Sequence, residues 1–164
     1  MKKRMLPKVI ESWKAYAANP SPGKKNMTGG VLEKEIRAFV REELSACNAS
    51  VAEHGKKFEV WENLSIIADC LIEKKGSPTS IISVKSWIGP TQLRETFGYA
   101  YFSKTWLGQK NIRVYMIQLP PTENHLKSLI TACSPYIDGV YSVSGEPYFD
   151  SLLGTLKEIY KLPS

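Results

Sequence analysis

The sequence predicts an α/β fold, a three-layer α/β/α sandwich around a central mixed sheet. Two runs rich in Ile and Val flank the polar stretch Lys74, Lys75, Gly76, Ser77 and Pro78, so residues 65–87 read as an antiparallel hairpin closed by turn chemistry. An apolar run over 112–119 and a strand over 139–144 alternate with helical patterns, the arrangement of a right-handed unit with parallel strands. Amphipathic stretches precede and follow these strands, which supplies the outer layers.

The elements follow in order. Leu6, Val9, Ile10, Trp13 and Ala17 have helical spacing over 5–18, with Pro7 tolerated in the first turn. Residues 19–26 are rich in Pro, Gly and Asn and read as a loop. A second helix is expected over 31–46, with Leu32, Ile36, Phe39, Val40 and Leu44 as its apolar stripe. Residues 58–61 suggest a short strand ahead of the hairpin. Gly89 and Pro90 break the chain, Thr91 caps a helix over 92–107, and Gly108 ends it. A helix over 122–133 precedes the strand over 139–144. A closing helix over 148–161 turns Phe149, Leu152, Leu153, Leu156 and Ile159 inward.

A chain of 164 residues fits one domain with a sizeable core. Its 43% hydrophobic and 23% charged residues are ordinary globular values. No apolar run approaches the length of a membrane span. The basic start is followed by no apolar signal core, so no signal peptide is expected. The three cysteines, Cys47, Cys70 and Cys133, are odd in number and lack metal-type spacing. They read as small buried hydrophobes in a reducing, cytoplasmic protein. Gly-rich phosphate loops, His/Cys clusters and nucleophile elbows are missing, which leaves a cofactor-dependent metabolic enzyme without support. His54 and His125 are isolated and read as surface or capping residues.

The charge balance points to a polyanionic partner. Lysine and arginine number 22 against 16 acids, a net charge of +6. Residues 1–28 carry Lys2, Lys3, Arg4, Lys8, Lys14, Lys24 and Lys25 against Glu11 alone. That end is either an arm contacting phosphates or a solvated face.

The hairpin holds the chemistry. A turn near Gly76 and Ser77 pairs residues whose numbers sum to about 153, to within a residue or two. Asp69 then lies opposite Ser83 to Lys85. Ser83 and Lys85 share one face of the sheet, while Ile82 and Val84 share the other. An aspartate and a lysine converging on neighbouring strands suit metal-assisted phosphodiester hydrolysis. They equally suit a cross-strand ion pair on an exposed sheet face.

These residues resemble the PD-(D/E)xK nuclease superfamily, which includes most type II restriction endonucleases. Ala68-Asp69 stands where that family has Pro-Asp, and Ser83-Val84-Lys85 where it has acid-x-Lys. Gly30 followed by Leu32-Glu33 resembles its first-helix motif. The stretch from Gln92 to Tyr99-Ala100 resembles its next helix. The resemblance spans residues 30–145 and implies a restriction-endonuclease-like fold. By that comparison, 1–28 is a basic N-terminal helix or arm, 30–145 the catalytic core and 146–164 the closing helix of one nuclease domain.

Ser83 departs from the family pattern, since magnesium prefers anionic oxygen. Relatives with Ser-x-Lys take a glutamate from the following helix. Here the usual window, 97–99, holds Phe97, Gly98 and Tyr99. The nearest acid is Glu95, one helical turn earlier on the same face. The resemblance thus implies Asp69, Lys85, Glu95 and Glu33 as catalytic residues. Asp69, Glu95, the Val84 carbonyl and Glu33 would be the Mg²⁺ ligands. Lys24, Lys25, Ser86, Trp87, Gln92 and Arg94 are the candidate DNA contacts, with solvated lysines and a core tryptophan as the alternatives.

The implied function is Mg²⁺-dependent cleavage of double-stranded DNA, one strand per active site. Cutting both strands calls for a homodimer, or for a heterodimer with a larger recognition subunit, as in type IIS enzymes of the BtsI and BsrDI kind. A Holliday-junction resolvase, a repair nuclease of the same superfamily, and a non-catalytic DNA-binding subunit are the alternatives.

Overall fold

The computed structural model describes residues 22–85, 90–106, 111–118, 127–128, 130–131, 134–143 and 149–162. The helix expected over 5–18, Ser86, Trp87, His125 and Cys133 lie outside them. Helix α1 (Pro22–Glu43) leads into β1 (Ser50–Val51), β2 (Lys57–Trp61), β3 (Leu64–Ile67), β4 (Cys70–Lys74) and β5 (Ser77–Lys85). Helix α2 (Pro90–Tyr101) continues into a π-helical turn, Phe102–Trp106. Strand β6 (Arg113–Gln118), strand β7 (Gly139–Ser142) and helix α3 (Phe149–Tyr160) complete the order. Residues 127, 128, 130 and 131, within the span expected to be helical, are helical.

Five strands form one mixed sheet in the order β1-β4-β5-β6-β7. Strands β1, β4 and β5 pair antiparallel, and β5, β6 and β7 pair parallel. Alternating side chains divide the core in two. On one face, Cys70, Ile72, Ile82, Val84, Tyr115 and Ile117 pack with Leu32, Ile36 and Val40 of α1, with Leu44 just beyond it, and with Leu152, Leu153 and Leu156 of α3. On the other, Leu71, Ile81, Val114 and Met116 pack with Leu93 and Ala100 of α2. Helices therefore cover both faces of the sheet. Leu32, Ile36 and Val40 of α1 and Leu44 just beyond it are at most 2% exposed, each contributing about 1.5–3 kcal/mol of burial, while Phe39 is only partly buried.

The structure corrects three expectations. Helix α1 starts at Pro22, inside the span expected to be a loop, and runs through Gly29 and Gly30. Each glycine costs only about 1 kcal/mol against alanine, which tertiary packing of the apolar stripe outweighs. Lys24 and Lys25 thus fall in the first turn of a helix, not in a loop. The apolar run over 65–73 is not one strand. Its first part, β3, pairs with β2 in a separate two-stranded sheet, and only β4 pairs with β5. In α3 it is Tyr160 that is fully buried, while Ile159 packs at the margin of the core.

The β4–β5 hairpin closes through Lys75 (φ 52°) and Gly76 (φ 77°), two successive positive-φ residues that match the twist of paired strands. Partners sum to 151 at Lys74–Ser77 and Glu73–Pro78, then to 152 from Ile72–Ser80 to Cys70–Ile82, with an irregularity between Ile72 and Glu73. Both values fall within the expected register. Cys70 is buried, and burial pushes its thiol up to about 12, which leaves it unreactive.

Candidate active site

The end of β5 near Lys85 brings three elements together. Beyond the Cys70–Ile82 pair the ladder stops, and the Val84 N–H donates to Asp69 Oδ2 at 2.7 Å instead. Asp69 sits in the short break between β3 and β4. The Lys85 ammonium donates to Glu95 Oε2 at 2.9 Å and lies 3.9 Å from Asp69 Oδ2. The Lys85 side chain is 14% exposed and that of Asp69 21% exposed, so this is not an ion pair on an open sheet face. The structure thus brings the aspartate of the β3–β4 break, which the sequence places on a strand, together with the strand lysine and the helix glutamate.

Ser83 takes no part in the charged cluster. Its hydroxyl accepts from Thr96 Oγ1 at 3.0 Å, and both residues are buried. Thr96 precedes one turn of α2 that carries Tyr99, whose hydroxyl donates to Glu95 Oε1 at 3.2 Å. Glu95 is therefore held at one oxygen by Lys85 and at the other by Tyr99.

The charges at the site act on one another. Burial pushes the Asp69 carboxyl up, against the pull of the Val84 N–H and the Lys85 charge, and Glu95 pushes the same way as burial. Glu33 is also raised, by burial first and then by the Asp69 charge, while Arg37 and Lys85 oppose the rise. Glu33 therefore reaches the same electrostatic neighbourhood from α1. Tyr99 is pushed up to about 12 by burial and by the charge of Glu95. Among the described residues, no three Asp, Glu, His or Cys side chains are grouped so as to hold a metal ion by themselves.

Of the candidate DNA contacts, Arg94 is exposed on α2 beside Glu95. Gln92 is half-buried, and its Oε1 has no hydrogen-bond partner among the described residues. The side chains of Lys24 and Lys25 lie outside the description, as do Ser86 and Trp87. Three neighbours of the cluster carry no site role from the sequence, where His54 reads as a surface or capping residue. Arg37 donates from Nε and Nη2 to the Asp69 carbonyl oxygen, His54 meets Arg37 Nη2 at 3.0 Å, and Tyr99 meets Glu95. Arg37 and Tyr99 each stand four residues beyond a candidate acid, Glu33 and Glu95, the spacing at which helical side chains touch. His54 carries no comparable signal.

No protein-family model matches the chain, and no curated protein is similar to it in sequence. Solved structures are similar in shape. One is the restriction endonuclease PspGI in a complex with substrate DNA, with a TM-score of 0.56 and 18% identity. That match covers 93% of this chain and 62% of PspGI, so the chain spans less than two thirds of that enzyme's length. Another is the small subunit (R.BspD6I2) of the heterodimeric restriction endonuclease R.BspD6I, with a TM-score of 0.49, 14% identity, and coverage of 97% of this chain and 82% of that one. No helix among the described residues is long and apolar enough to cross a membrane. The mixed five-stranded sheet with helices on both faces is the restriction-endonuclease-like fold expected from the sequence.

Proposed function

We propose that this chain is a metal-dependent endonuclease that hydrolyses phosphodiester bonds in double-stranded DNA, either as a type II restriction enzyme or as the cleavage subunit of one. The observation that carries the reading is the Lys85 ammonium set between Asp69 and Glu95 at the end of β5 in a restriction-endonuclease-like fold. The similarity to PspGI supports the fold behind this reading, and the net charge of +6 supports a polyanionic substrate.

The donor set fits a hard divalent ion in kind, because carboxylate and carbonyl oxygens suit Mg²⁺. Asp69, Glu95 and the Val84 carbonyl would hold it, with Glu33 acting through water. A bound ion would supply charge neutralisation at the phosphate and a more acidic water. Lys85 donates hydrogen bonds to the phosphate oxygens and stabilises the negative charge that grows on them during attack. Tyr99 fixes Glu95 from the side away from Lys85. The Val84 N–H fixes Asp69. Each site cuts one strand, so duplex cleavage uses a second copy or a larger recognition partner.

A second reading is a DNA-binding subunit without cleavage. It is favoured by the buried Ser83–Thr96 pair at the place where an acid is usual, and by the lack of a three-acid group among the described residues. One experiment separates the two. Purified protein is incubated with supercoiled plasmid and Mg²⁺ or Mn²⁺, alone and with candidate partner subunits. Nicked or linear product that disappears in Lys85→Ala supports the nuclease. Plasmid retarded but uncut under every condition supports the binding subunit.

A further inference from the structure

Arg37 stands on α1, one turn beyond Glu33, with Arg41 one turn further on. Its Nε and Nη2 donate to the Asp69 carbonyl oxygen at 3.1 and 2.8 Å. Nη2 also lies 3.0 Å from His54 Nδ1. A guanidinium can only donate, so His54 accepts at Nδ1 and carries its proton at Nε2. Arg41 continues the ridge by pairing with Glu53 at 3.3 Å. Helix α1 therefore grips both the β1–β2 connection and the break before β4.

That break needs a grip. The ladder of β3 with β2 ends at Ile67, and that of β4 with β5 begins at Cys70, so neither places Asp69. Two contacts define its backbone and side chain instead: the Arg37 fork on the carbonyl and the Val84 N–H on the carboxylate. Arg37 directs its hydrogen bonds to a carbonyl and an imidazole nitrogen, not to a carboxylate. It can therefore fix the aspartate without occupying the oxygens that the proposed chemistry uses.

We infer that Arg37, braced by His54, is a positioning residue that sets the direction of the Asp69 carboxylate by holding its main-chain carbonyl. The role in catalysis rests on the nuclease reading above; the role in placing Asp69 does not. The fork geometry matters, because a lysine keeps the charge but cannot offer two fixed donors to one oxygen.

The test uses the full chain with Arg37→Lys, with Arg37→Gln as a second variant should the first fold poorly. Amide hydrogen exchange is followed at Val84, whose N–H is held by Asp69, and at Val114, whose N–H is held by Asp138 at 2.7 Å far from the site. The Val84 amide is expected to exchange about tenfold faster in the variant while Val114 is unchanged. In the plasmid assay, kcat is expected to fall about tenfold or more with KM for DNA unchanged. Unchanged Val84 exchange in a folded variant overturns the proposal, and so does wild-type kcat. If the wild type cuts nothing, the nuclease reading fails by itself, and the Val84-to-Val114 exchange ratio still decides the positioning role.

Discussion

Thr96 donates its hydroxyl to Ser83 at 3.0 Å, with both side chains shut away from solvent. This contact joins the centre of α2 to the end of β5 and leaves Glu95, the preceding residue, to face Lys85. It also explains why serine is suited to this place: a carboxylate there would lose its hydration and meet a hydroxyl instead of a cation. Ser83→Glu should therefore destabilise the protein by about 3 kcal/mol or more, as an uncompensated buried charge does. It should not restore cleavage to Glu95→Gln. Thermal melting with the plasmid assay checks both statements.

The cluster predicts a sharp split between stability and activity. Lys85→Ala, Asp69→Asn and Glu95→Gln should each lower cleavage by about a hundredfold or more while the circular dichroism spectrum stays native. Glu95→Gln is the most discriminating of the three. A surface acid would tolerate the change, whereas an acid held between Lys85 and Tyr99 for catalysis would not.

Stability should fall as the pH rises through the range in which Glu33 and Asp69 ionise. Both carboxyls are raised, chiefly by burial, so between the unfolded and folded pKa values the native state binds more protons than the unfolded state. Under that condition unfolding free energy decreases with pH. Glu33→Gln removes the charged form and should raise the melting temperature at neutral pH, with the gain shrinking as the pH falls through the raised folded range and gone below the ordinary glutamate range. A pH series of melting curves for wild type and variant shows the crossover or its absence.

A hydroxyl network on the opposite side of the hairpin serves as a control. Tyr160 of α3 meets Thr79 at 2.9 Å and also Ser80. Tyr160→Phe removes these bonds from a buried site and should cost about 1–2 kcal/mol. Cleavage per folded molecule should stay at the wild-type level, because among the described residues the Tyr160 hydroxyl bonds to Thr79 and Ser80 and not to the acid–lysine cluster. Melting curves and titrated active protein measure the two effects separately.

Much of the fold was legible because local chemistry and packing agree. The turn chemistry of 74–78, the Ile/Val run after it and the α1 stripe each specify one element, with the turn one residue earlier, at Lys75 and Gly76, and α1 starting earlier than its stripe implies. Pairing partners were less legible. Ser65, Ile66 and Ile67 look like the continuation of β4, and periodicity alone carries no sign that they pair with β2. The acids and the lysine were visible by type and spacing. Arg37 and His54 were not, because their contacts are made to a main-chain carbonyl and to each other across distant parts of the chain. Sequence spacing describes neighbours on one element, not a clamp between two.

The irregularity between Ile72 and Glu73 decides more than the shape of a turn. Carried one step past Cys70–Ile82, the register sets Asp69 across from Ser83, on the same side of the sheet as Lys85. Had the register near the turn persisted, Asp69 would stand across from Ile82 and aim into the apolar layer under α1. One offset residue next to the bend thus fixes the parity of everything beyond it. A single insertion or deletion there would silence the distant acid–lysine pair without altering any of its members.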